Sequence, residues 1–94
     1  MKLYLVYKHN YSNIDTGTID DICFYGIYRS EKKARKRAKA ALKEAQKDEL
    51  FIDKDILSKN NPFKKYSCVD LYCRGEQQPN LASSIILKET KLIA

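Results

Sequence analysis

Ser30 to Lys47 reads SEKKARKRAKAALKEAQK. The stretch holds no Gly, Pro or β-branched residue, and its Ala, Lys, Arg, Leu, Glu and Gln are strong helix formers. Ser30 offers an N-cap hydroxyl to the free amides of a first turn. Glu31 places negative charge at the positive end of the helix dipole. Ala34, Ala38, Ala41, Leu42 and Ala45 recur at the spacing of one helix face. That face is narrow and mostly alanine, so the helix is expected to lie close against a sheet.

The opposite face is cationic. Lys32, Lys36, Lys39, Lys43 and Lys47 recur every three or four residues, a stripe roughly 22 Å long at about 1.5 Å rise per residue. Lys33, Arg35 and Arg37 widen it. The helix carries eight Lys/Arg against Glu31 and Glu44, and its net +6 equals that of the whole chain. All the net charge therefore sits on this one element. A solvated lysine face that keeps a small protein in solution is one reading. The other is a surface for an anionic partner. Like charges at i,i+4 cost a few tenths of a kcal/mol each, and a sequence selected for stability alone would mix the signs.

Outward from the helix, short alternating runs read as strands. In Lys2–Lys8, Leu3, Leu5 and Tyr7 point one way and Tyr4 and Val6 the other, as expected of a central strand. Residues 9–20 are polar and turn-rich, and read as a long loop. In Asp21–Arg29, Ile22, Phe24, Gly26 and Tyr28 alternate with Cys23, Tyr25 and Ile27. Gly26 marks either a bulge or a close approach of the alanine face. Leu50–Leu57 reads as a short edge strand with Asp53 and Asp55 on one side, and 58–65 as a loop around Pro62. Tyr66–Cys73 and Ser83–Ile93 read as the last two strands, joined by a turn at 74–80. The order β-β-α-β-β-β predicts a single α+β domain, a two-layer sandwich. One helix lies on one face of a mostly antiparallel sheet of four or five strands. One helix cannot cover such a sheet, so the far face is expected to show tyrosines or to be buried in a homodimer.

With 94 residues and 44% hydrophobic content, the chain suits one modest core. No apolar run reaches the length of a membrane span, and the N-terminus lacks the pattern of a signal peptide, so a cytoplasmic protein is expected. Cys23, Cys68 and Cys73 form no CxxC pair and no cluster with His9. Buried thiols are expected, with no disulfide framework and no metal site. His9 is the sole histidine, and neither it nor the scattered aspartates form a catalytic signature. Asp15-Thr16-Gly17 matches the aspartic-protease triplet, but the chain is too short for that two-lobed enzyme. Phosphate-loop, dinucleotide and zinc-protease motifs are absent. No cofactor is expected.

KLYLVY at the start, then GIYRSEKKARKRAKAAL with alanines at 34, 38 and 41, resembles a set of small uncharacterised proteins of phages and bacterial mobile elements. The likeness covers residues 2–45, and residues 58–94 depart from the short ending of that set. The resemblance implies an accessory protein that acts stoichiometrically, by binding nucleic acid, a nucleotide signal or a host defence component. It transfers no catalytic residue.

The leading expectation is a non-enzymatic binding protein that engages a phosphate-bearing ligand, nucleic acid or nucleotide. The residues expected to carry it are Lys32, Lys36, Lys39, Lys43, Arg35 and Arg37, with Tyr4, Tyr25 and Tyr72 as aromatic neighbours. The alternative is an inhibitor of a host defence complex, of the anti-CRISPR kind, that uses a Tyr-rich sheet face or the 9–20 loop. A third class is a small nuclease or hydrolase built on His9 and an aspartate.

Overall fold

The computed structural model describes residues 2–13, 18–47, 50–52, 61–73 and 80–91. Its elements are strands β1 (Lys2–Asn13) and β2 (Thr18–Tyr28), helix α1 (Glu31–Lys47), a 3-10 turn (Pro62–Lys64), and strands β3 (Cys68–Cys73) and β4 (Asn80–Lys91). The strands form one antiparallel sheet in the order β2-β1-β4-β3, with α1 on one face. This is the expected α+β architecture. Between Leu50 and Leu57, the described residues 50–52 contribute one isolated bridge, Phe51 to Tyr72 on the outer side of β3. Residues 53–57 lie outside the described residues, as does the expected turn at 74–79.

Helix α1 begins as its sequence dictates. The Ser30 hydroxyl accepts from the amide of Lys33 at 3.3 Å, and the Ser30 carbonyl accepts from the amide of Ala34 at 3.1 Å. Ala34, Ala38, Ala41, Leu42 and Ala45 are buried. They pack with Tyr4 and Val6 of β1, Val69 and Leu71 of β3, and Ile85 and Leu87 of β4. Ile52 and Phe63 close the core from the connecting segments. Phe63 is held by the 3-10 turn, where the Asn61 side chain accepts from the Phe63 amide and donates to the Arg35 carbonyl.

Three expectations change. Most of the 9–20 loop is strand: Asn10 pairs with Asp21, Tyr11 with Ile19 and Asn13 with Thr18. His9 and Asn10 lie between two partners, pairing also with Ser84 and Ser83 of β4, whereas residues 11–13 extend the β1–β2 hairpin alone. Side chains bridge the same strands, with Ser83 donating to Asn10 and Tyr11 donating to Ser84, each at 2.9 Å. Residues 9–13 and 18–20 therefore belong to the sheet and not to a loop.

The second change is in β2. The register shifts between Val6 and Tyr7, where Val6 faces Gly26 but Tyr7 faces Phe24. Gly26 has φ +148°, backbone that side chains rarely adopt. This bulge breaks the alternation expected along the strand. Ile27 joins Ile22 and Phe24 on the face away from α1, while Tyr28 turns to the helix side with Cys23 and Tyr25. A Cβ at Gly26 would sit 3.1 Å from the Tyr28 ring, so the aromatic ring rests on the glycine.

The third concerns the cysteines. All three are free, but Cys68 is exposed and Cys23 and Cys73 are half-buried. Cys68 pairs with Ile86 on the uncovered face of an edge strand, which is why it escapes the core.

Candidate functional site

At about 100° per residue, the buried alanine face of α1 points into the sheet and Lys32, Lys36, Lys43 and Lys47 point directly away. All four are exposed; Lys39 flanks them half-buried, and Lys33 is exposed to one side. The row is straight and stands on a convex surface. Among the described residues the ion pairs are Lys2 with Glu89 and Arg35 with Glu31. The lysines of the row thus have no carboxylate partner within that set.

The two arginines are used differently. They leave α1 on opposite flanks, because residues 35 and 37 are separated by about 200° around the helix. Arg37 reaches over β2, its guanidinium carbon 4.4 Å from the centroid of the Tyr25 ring, an attractive cation–π geometry. Burial, then the neighbouring Cys23, pushes the Tyr25 hydroxyl up to about 12. Arg35 leans toward the 3-10 turn and is bound by Glu31 one turn earlier. Its Nε is buried without a hydrogen-bond partner. Tyr4 is buried beneath this pair and donates to Glu31 at 3.4 Å. Burial and Glu31 push the Tyr4 hydroxyl above the ordinary tyrosine range.

The sequence-predicted set therefore divides. Lys32, Lys36, Lys39 and Lys43 stand together on the outer face. Arg37 joins Tyr25 across helix and sheet, while Arg35 is tied to Glu31 on its own helix, and Glu31 in turn meets Tyr4 of β1. Tyr72 lies on the far edge strand, its ring centroid 6.2 Å from that of Phe51, and belongs to neither group. A feature the sequence did not disclose is a cleft of about 220 Å³ at the first turn of α1, lined by Tyr4, Arg35, Lys64, Lys65 and Tyr66. Lys65 lies 5.6 Å from the centroid of the Tyr66 ring. Glu31 and Glu89 line the same cleft and offset its cations.

His9 sits on the uncovered face between Tyr7 and Tyr11, at ring distances of 5.2 and 6.4 Å. In register beside it are Ser84 and then Asp70. The Ser84 hydroxyl donates to Asp70 at 2.5 Å and accepts from Tyr11 at 2.9 Å. The Ser84 hydroxyl thus donates to Asp70 and not to His9. Ser84 is also 1% exposed. The trio serves as a polar tie across three strands and lacks the geometry of an activated nucleophile. Among the described residues no group of three His, Cys, Asp or Glu is placed to hold a metal ion. No helix among them is long and apolar enough to cross a membrane.

The family model described as a domain of unknown function, DUF7336, matches residues 1–70. The chain belongs to this family. The DUF7336 match takes in β1, β2, α1, the 3-10 turn and the start of β3, so the lysine row lies within it. It ends before β4, the strand that lies between β1 and β3. No curated protein and no solved structure matches the chain.

Proposed function

We propose that this protein is a non-enzymatic binder of nucleic acid that grips the phosphate backbone with the outer face of α1. The observation that carries the reading is the division of labour among the cations. Both arginines have partners, Arg37 on the Tyr25 ring of β2 and Arg35 on Glu31 of its own helix, whereas the lysines form a straight row without carboxylate partners among the described residues. A row on a convex surface suits an extended polyanion better than a single nucleotide, which favours a concave site. Lysine is a point charge without the planar fork that reads a base edge. Contacts of this kind set affinity and leave sequence unread.

The test is a salt titration of binding to a labelled single strand and a labelled duplex. With Lys32, Lys36, Lys39, Lys43 and Lys47 each meeting one phosphate, affinity is expected to fall roughly 10²–10³-fold between about 50 and 200 mM salt. Lys36→Ala with Lys43→Ala should weaken binding and lower the slope by about two contacts. A flat salt dependence, or saturation by a mononucleotide alone, overturns the reading.

A further inference from the structure

The face of the sheet opposite α1 is a second surface of different character. Leu3, Leu5 and Tyr7 of β1, Ile22, Phe24 and Ile27 of β2, and Ile86 of β4 share it, as the cross-strand register requires. Ile22, Phe24 and Ile27 are each 57% exposed. Single exposed apolar side chains are ordinary, but a contiguous set on one flat face marks a contact surface. Charge is almost missing from it. Among the described strand residues, Lys88 and Asp70 point to this side, one of each sign, while the net +6 of the chain resides on α1.

We infer that this face is the contact between two copies of the chain, stacked sheet to sheet about a two-fold axis. Three observations favour a second copy. The first is area. Strands of 12, 11, 6 and 12 residues, at about 3.3 Å rise and about 4.8 Å spacing, present roughly 650 Å² of sheet plane, the apolar positions and the polar ones around His9, Ser84 and Asp70 together. Stable interfaces bury roughly 600–1,000 Å² per partner. The second is charge. A face with no net charge meets its own copy without repulsion and is self-complementary in the way a two-fold contact demands. Stacking also sends the two lysine rows to opposite outer surfaces. The helices are then on the order of 30 Å apart, well beyond a screening length of about 8 Å at physiological salt. The third is the shape of the β2 edge. The bulge at Gly26 interrupts its ladder, and bulged edges resist continuation of the sheet into a neighbour. At the β2 side of the sheet this favours the face over the edge as the surface for contact.

Sedimentation equilibrium of the pure protein from about 1 to 100 μM, without nucleic acid, tests the inference, because interfaces of this size associate in that range. The wild type is expected to sediment as a dimer, and Phe24→Glu and Ile27→Lys, read separately, as monomers with unchanged circular dichroism. Lys36→Glu should remain dimeric. Both disruptive changes are at exposed positions, and the second variant decides if the first fails to fold. A wild type that is monomeric at 100 μM overturns the inference and gives the face to a different protein. So does a dimer that survives both substitutions. Neither result bears on the salt dependence of nucleic-acid binding, so the two readings fail separately.

Discussion

On the helix side of the sheet, Val6, Val69, Leu71 and Ile85 are fully buried, whereas on the other side Ile22, Phe24 and Ile27 are each more than half exposed. The buried residues lie on β1, β3 and β4, and the exposed ones on the edge strand β2. The difference comes from the connection after β2: Ser30 caps a helix that folds back across one face, and alanines at its contact positions let it lie close. Covered and uncovered positions of the sheet therefore answer to different forces. The covered ones hold the fold together within one chain. The uncovered ones make association a property of concentration.

The largest expected effect separates the two sides. Leu71→Ala should lower the free energy of unfolding by about 2–5 kcal/mol, as cavity-forming changes in cores do, with the same loss at every protein concentration. Phe24→Ser should instead abolish the dependence of the urea midpoint on concentration. If Phe24→Ser destabilises a dilute monomer as strongly as Leu71→Ala, the two faces are not distinct in the way described.

A smaller effect tests the bulge that assigns β2 residues to their sides. Gly26→Ala forces a side chain into backbone at φ +148° and against the Tyr28 ring. It should cost about 1–3 kcal/mol in a denaturant titration. An unchanged midpoint would mean that the strand can alternate without the bulge.

The smallest effect lies at the edge of the helix-covered side. Tyr25 holds its proton up to about 12, chiefly through burial. The unfolded chain releases that proton near the ordinary tyrosine value of 10. The contribution is thus fully present below pH 10 and is lost as pH rises from 10 toward 12. Tyr25→Phe should flatten the decline of the urea midpoint across that window. An identical decline in the variant would place Tyr25 outside the core contacts.

The helix and its lysine row were legible in the sequence, because a period of 3.6 residues sorts alanine from lysine without knowledge of any other element. The alternation of β1 and of β3 was legible for the same local reason. The faces of β2 were not: one glycine inserts an extra residue, and every later side chain changes sides. Nor was the strand character of 9–13, whose polar residues are carried by pairing with β2, and at His9 and Asn10 with β4 too, rather than by their own preference. The aromatic part of the candidate site was hidden too. Which tyrosine meets Arg37 and which lies under Arg35 depends on strand order, and nothing within a short window reports that order.

The position of β4 has a consequence for how the chain assembles. The β1–β2 pairing and the helix that follows involve residues 2–47. β1 acquires its second neighbour only when Lys2 meets Lys91, a closure across nearly the whole described chain. Pairings of such separation carry the entropy of a long loop and are slow to form. Until it closes, β1 presents a free hydrogen-bonding edge beside Val6 and Tyr4, a template for pairing with another chain. The step that completes the sheet is therefore also the step that removes its principal route to misassembly.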